Sequence, residues 1–408
     1  MISEGMTVHL SRRLRDVPPY AFAEIRRKVA RLESEGVDVI DLGIGDPVRP
    51  TPECARAACV EGIERYKDSG YPPYEGTPEL REAAARYMQR HFGVEVDPAG
   101  ILATDGSKEA IFHLPEGLVD PGDVILAPSP GYIPYYRGAA FAEAECVLYP
   151  LDRASGYLPD ADGIARTIDE LKGRGRSVRL LWICYPNAPT GAVATRDELA
   201  RVMGAARGRG VVVASDEAYT DFVWEGEQVS ALECGLQGIV SFFSLSKRSN
   251  MTGYRVGWAA GDPEVVGALA RVKTNLDSGT PCFVQSAAAA ALGDEAHVEA
   301  MRAEYRRNLD ALAGGLRASG LEPSRPAGAL YVWQKGPEGM TSEELCRRLL
   351  APEIAVAALP GTALAPALPD GRSPGEGYVR FSLTALPDRI AEASRRMARS
   401  HGWLTRDG

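Results

Sequence analysis

The chain has 408 residues, of which 45% are hydrophobic and 25% charged, with a formal net charge of −9; that suits one large globular core with room for a second domain. An acidic balance without a dense Lys/Arg run argues against nucleic-acid binding. No run of 18 uncharged apolar residues predicts a membrane span, and cysteines scattered at 54, 59, 146, 184, 234, 282 and 346 predict neither zinc site nor disulfide framework, hence no metal and a reducing cytoplasmic setting.

In chain order, residues 20–35 place Phe22, Ile25, Val29 and Leu32 on one helical face. Val39-Ile40-Asp41-Leu42 reads as a short strand that ends in Gly43-Ile44-Gly45-Asp46-Pro47. An Ala-rich helix follows Thr51-Pro52. From about residue 80, helical patterns alternate with apolar runs at 101–104, 124–128, 146–151, 179–185, 211–215, 239–243 and 256–260. Buried runs alternating with helices predict an α/β fold, with a mostly parallel seven-stranded sheet flanked by helices. One long helix is expected over 264–290, with a break near Gly279-Thr280-Pro281. The remainder predicts a smaller α+β domain with strands at 329–333 and 378–383. The expected division is a segment 1–48 packed on the small domain, a large domain 49–285 and a small domain 286–408.

Ligands of such sheets collect beyond the carboxyl ends of the strands. The run 239–243 ends in Ser244-Leu245-Ser246-Lys247, with Gly253-Tyr254-Arg255 close behind. A desolvated lysine forms Schiff bases, and arginine with serine hydroxyls suits phosphate. Pyridoxal phosphate carries both an aldehyde and a phosphate. The plainer alternatives are a lysine that snorkels to water and an arginine in a surface ion pair.

Three other strand ends extend the pattern. Gly106-Ser107 enters a helix and offers free N–H groups to an anion, or is a capping turn with Ser107 as N-cap. Asn187, in Tyr185-Pro186-Asn187-Ala188-Pro189-Thr190-Gly191, bonds its own turn or a ligand oxygen. Asp216 follows four apolar residues, and a buried carboxylate needs a partner, either a pyridinium nitrogen or an arginine.

Seven segments in order complete the set: Leu42 to Pro47, Tyr71 to Gly76, Gly106 to Glu109, Tyr185 to Gly191, Asp216 to Tyr219, Ser244 to Arg255 and Tyr378 to Phe381. With them the chain resembles the fold-type I, class I/II aminotransferases that depend on pyridoxal phosphate, in the LL-diaminopimelate aminotransferase-like branch. The resemblance implies that Lys247 bonds the cofactor aldehyde and moves the substrate α-proton, and that Asp216 holds the ring nitrogen. It implies Asn187 and Tyr219 at the ring oxygen, with Asn187 also near substrate, and Tyr132 stacked on the ring. Gly106, Ser107, Lys108, Ser244, Ser246 and Arg255 then hold the phosphate, with Tyr71 reaching it from a second subunit of a homodimer. Arg380 clamps the substrate carboxylate, Gly45 leaves room beside it, and Tyr20 and Tyr74 are further substrate candidates.

The chain departs from the common pattern at Ala188, Arg248, Ser249 and Tyr254. Tyr74 stands where well-studied diaminopimelate enzymes place an acid that reads the distal ammonium. Two reactions fit the same residues: amino transfer between an L-amino acid and a 2-oxo acid, or elimination, replacement or carbon–carbon bond formation, for example on S-adenosylmethionine.

Overall fold

The computed structural model describes residues 8–15, 17, 22–68, 70–400 and 403–404. In chain order the strands are β1 (Ile40–Asp41), β2 (Leu102–Thr104), β3 (Val124–Ser129), β4 (Glu145–Pro150), β5 (Val178–Cys184), β6 (Val212–Asp216), β7 (Ile239–Ser244) and β8 (Gly257–Gly261). They continue with β9 (Tyr331–Lys335), β10 (Val356–Ala357), β11 (Leu359–Pro360) and β12 (Tyr378–Ser382).

β2 to β8 form one seven-stranded sheet in the order β2-β8-β7-β6-β5-β3-β4. Only β8 runs antiparallel to its neighbours, so the fold matches the mostly parallel sheet expected. The inner strands β3 and β7 are buried along their whole length, as strands covered by helices on both faces must be. Alternation along β7 splits the core. Phe243 packs with Tyr87, Phe92 and Trp258 on one face, while Phe242 packs with Trp182 and Ala214 on the other. Each such ring contributes about 1.5–3 kcal/mol by burial.

β9, β11 and β12 form a separate antiparallel sheet over its own apolar cluster, which includes Leu309, Leu316, Val332 and Phe381. The N-terminal segment joins this second body. β1 pairs in parallel with β10, the amphipathic helix Phe22–Ser34 contributes Val29 to a cluster with Ala355 and Ala357, and Arg389 and Arg396 both clamp Asp38.

Three local readings change. The stretch 264–290 is two helices, Pro263–Lys273 and Cys282–Leu292, separated where Gly279 takes φ +108. The N-cap before the helix Ser107–Leu118 is Gly106, at φ 75, rather than Ser107. The two-residue strands β10 and β11 are too short for any periodicity to reveal. All seven cysteines are free thiols, and among the described residues no helix is long and apolar enough to cross a membrane.

Candidate active site

The carboxyl ends of β2, β3, β5, β6 and β7 open into one cavity of about 590 Å³. β8 contributes from its amino end, because it runs the other way. Gly45, Ser107, Lys108, Tyr132, Asp216, Tyr219, Ser244, Ser246, Lys247, Arg255 and Arg380 all line the cavity. Residues 335 positions apart in the chain thus share one wall.

At the β2 end lies an anion cradle. Gly106 leads into the helix Ser107–Leu118, whose first-turn N–H groups have no helical acceptor and sit at the positive end of the dipole. A Cβ on Gly106 would lie 2.6 Å from Arg255 Nη2, so glycine serves both the positive φ and the approach of the guanidinium. Arg255 is itself left-handed at φ 55. It donates to Thr252 O at 2.8 Å and to Asp105 O at 3.2 Å, which aims it across the helix entrance. Ser244 Oγ accepts from Ser246 N at 3.2 Å and so starts the short turn Leu245–Arg248 that presents Lys247.

Lys247 Nζ donates to Gly45 O at 2.5 Å, and Arg380 Nη2 donates to Gly43 O at 2.8 Å. Two cations from different sheets are therefore anchored on carbonyls of one glycine segment. The Arg380 guanidinium also lies 4.1 Å from the centroid of the Tyr331 ring, a cation–π contact worth about 0.5–2 kcal/mol. Tyr331 Oη is 3.0 Å from Tyr219 Oη.

Asp216 is 3% exposed. Tyr135 Oη donates to its Oδ2 at 2.8 Å and Ala218 N to its Oδ1 at 3.2 Å. Burial pushes its carboxyl up to about 6 despite these two bonds. The protein's own partner for this carboxylate is a phenol rather than an arginine, and that phenol is stacked on Trp182.

The remaining expectations fare differently. The Asn187 side chain is turned into its own loop, where Nδ2 donates to Cys184 O and Oδ1 accepts from Thr190 N and Oγ1. It is fully buried and does not line the cavity, whose wall there is Ala188 and Pro189. The turn's own need for hydrogen bonds claims the amide. Tyr71 is 91% exposed and Tyr74 is also exposed, both outside the cavity. Tyr20 lies outside the described residues. The space beside Gly45 is occupied by Tyr331, whose Oη would be 2.2 Å from an added Cβ. Sequence reasoning missed Tyr331, Tyr135 and Arg26. Tyr331 sits at the start of a strand and Tyr135 one helical turn after Tyr132, positions where an aromatic reads as core; Arg26 lines the cavity from the helix Phe22–Ser34.

The residues fit pyridoxal phosphate by their chemistry. The glycine cradle with Arg255 suits a phosphate, the buried acid suits a ring nitrogen, and an amine lines the same cavity.

Comparison with known proteins agrees. Residues 37–393 match the family described as aminotransferase class I and II. An LL-diaminopimelate aminotransferase of Syntrophobacter fumaroxidans is 40% identical over 94% of this chain and 97% of its own length. That of Aquifex aeolicus is 38% identical, over 95% and 98% respectively. The aspartate aminotransferase of Thermus thermophilus, solved with maleate, superposes with a TM-score of 0.87 at 32% identity, covering 96% of this chain and all of that one. These relatives are aminotransferases, which favours amino transfer over elimination or carbon–carbon bond formation. The chain belongs to the class I and II aminotransferases, fold-type I enzymes that use pyridoxal phosphate to move an amino group between an amino acid and a 2-oxo acid.

Proposed function

We propose that Lys247 carries the cofactor and transfers the substrate α-proton, that Asp216 faces the ring nitrogen, and that Arg380 holds the substrate α-carboxylate as a bidentate pair. The observation that carries this is the convergence of these three side chains on one cavity from β6, the turn after β7, and β12. When bound, pyridoxal phosphate supplies an electron sink for the amino acid's α-carbon. The ionised Asp216 keeps the ring nitrogen protonated. Tyr132 covers a ring face, Tyr219 serves the ring oxygen, and Gly106, Ser107, Lys108, Ser244, Ser246 and Arg255 hold the phosphate. With the cofactor bound, the Lys247 amine would take up and give back the substrate's α-proton, so that one group would serve as both base and acid.

The proposed amino donor carries a second ionised group. Arg26 and Asp46, of opposite charge, line the same cavity as Arg380, and the relatives above are named for diaminopimelate and aspartate. The test is a panel of amino acids with 2-oxoglutarate as acceptor, read by product mass. Donors with a charged side chain, LL-diaminopimelate among them, should exceed leucine and phenylalanine in kcat/KM by about tenfold or more. Equal or better rates with the apolar donors would refute the substrate class.

The enzyme is proposed to work as a homodimer in the cytoplasm. Ile63 and Phe283 are exposed on two helices, Glu53–Arg65 and Cys282–Leu292, that pack on each other. Tyr71 projects into solvent nearby, free to reach a second subunit. The division into a large and a small domain is supported by the separate apolar clusters under the two sheets, with the second boundary moved from 285 to after Leu292, because the helix Cys282–Leu292 packs whole into the large cluster.

A further inference from the structure

Beyond the ligand cavity, the turn that presents Lys247 is gripped from behind by a buried ionic cluster. Arg248 is 1% exposed. Its Nη1 donates to Ala291 O at 2.8 Å, its Nη2 to Glu295 Oε1 at 2.7 Å, and its Nε lies 3.4 Å from Asp221 Oδ1. The guanidinium also sits 5.3 Å from the centroid of the Tyr87 ring. Tyr87 Oη donates to the other Asp221 oxygen at 3.0 Å, and Glu295 is shared with Arg90 at 2.7 Å and His91 at 3.1 Å. The next residue, Ser249, is held as well, with its Oγ 3.0 Å from His297 Nε2.

The carboxylates of Asp221 and Glu295 and the imidazole of His91 offer ligand atoms within 4.8 Å of one another, a constellation that attracts a cation. Arg248 supplies it, since its guanidinium already bridges both carboxylates. An ion pair buried this deeply adds little net stability against an apolar filling, and its attested use is to fix one arrangement.

The arrangement in question joins two parts of the active site. Asp221 lies five residues after Asp216 and two after Tyr219 on one loop, and Arg248 directly follows Lys247. Among the described residues the lysine's own side chain is hydrogen-bonded to Gly45 O, so its reach depends on where the turn behind it stands.

We propose that Arg248 is a positioning residue that, through Asp221 and Glu295, locks the Lys247 turn at a fixed distance from the Asp216–Tyr219 loop, so that amine and ring partner move as one unit. This rests on the roles given above to Lys247 and Asp216. A lysine could not replace it. Hydrogen bonds to Ala291 O and Glu295, an ion pair with Asp221 and a ring face, all in different directions, require the planar fork of arginine.

The test compares Arg248→Met, Arg248→Lys and Asp221→Asn with wild type as purified holoenzymes. The readouts are kcat, KM, melting temperature and the pH midpoint of the visible band of the lysine-bound cofactor. Asp221→Asn keeps the shape and the Tyr87 bond and removes only the charge facing Arg248. It should lower kcat about tenfold with KM changed less than about threefold, and should move the pH midpoint by about half a unit or more. Arg248→Met should do more, and Arg248→Lys should not restore wild-type kcat. If the melting temperature falls while kcat and midpoint stay at wild-type values, the cluster is merely structural and the proposal fails. Should Arg248→Met not fold, Asp221→Asn and Arg248→Lys decide by the same criteria. Lys247→Ala separates the two levels: a visible band that survives it overturns the lysine's own role, whereas a lost band with unaffected Asp221→Asn and Arg248→Lys overturns only the role of Arg248.

Discussion

Asp216 and Glu217 are adjacent, both buried, and serve different ends. Asp216 faces the cavity, while Glu217 accepts from Ser241 Oγ at 2.7 Å and Ala231 N at 2.9 Å under the sheet. Burial raises both carboxyls, Asp216 from 3.8 to about 6 and Glu217 from 4.5 to about 7. A raised carboxyl contributes stability that is fully present below its unfolded value and is lost as pH rises through its folded value. The cofactor-free protein should therefore lose about 3 kcal/mol per group between roughly pH 4 and pH 7. Glu217→Gln should flatten this slope, and thermal melts of wild type and variant across the window check it; equal slopes would refute it. Arg380→Lys keeps the charge but loses the two-pronged grip, so KM for amino acids should rise about 10- to 100-fold with kcat less affected, as steady-state kinetics would show.

At the scale of elements, strand ends and helix starts do the positioning. The helix Arg196–Arg207 shows how ordinary signals place a helix: Thr195 and Glu198 form a reciprocal capping box worth about 1 kcal/mol. Gly106 breaks that rule, since it caps its helix without a side chain and at positive φ, which leaves the first-turn N–H groups open to a ligand. Gly106→Ala would strain the backbone and push Arg255 aside. Its affinity for pyridoxal phosphate, measured by equilibrium dialysis, should fall about tenfold or more, with a stability loss of about 1–3 kcal/mol. Unchanged affinity would count against the cradle.

At the scale of the whole molecule, two bodies with separate cores meet at the cavity, and the segment through Gly43 and Gly45 runs between them with Arg380 and Lys247 bonded to its carbonyls. The exposed side chains Ile63, Tyr71 and Phe283 are where the proposed homodimer is tested. Ile63→Glu should shift the protein from dimer toward monomer and lower activity in parallel, checked by sedimentation velocity and assay at the same concentrations. A fully active monomer would refute shared sites.

The sheet was legible because buried parallel strands must read as continuous apolar runs, and each of the seven runs became a strand within a residue or two. Lys247 and Asp216 stood out because a charged residue just after such a run is conspicuous, whereas Arg255 precedes a run and Arg380, inside a strand, was singled out only by the family resemblance. Tyr331 and Tyr135 were not, because an aromatic in a strand or helix looks like core whether or not it touches a ligand. For Asn187 only the folded turn shows its amide bonded to Cys184 and Thr190. Arg248 read as a departure from the common motif, and only the tertiary structure gives it Asp221, Glu295 and Ala291 as partners. Local order in the chain thus determined the strands, the helix entries and the chemistry at their ends. Which residues distant in the chain share a wall or an ion pair was decided by packing, because hydrogen-bond partners and burial exist only once the sheet has closed.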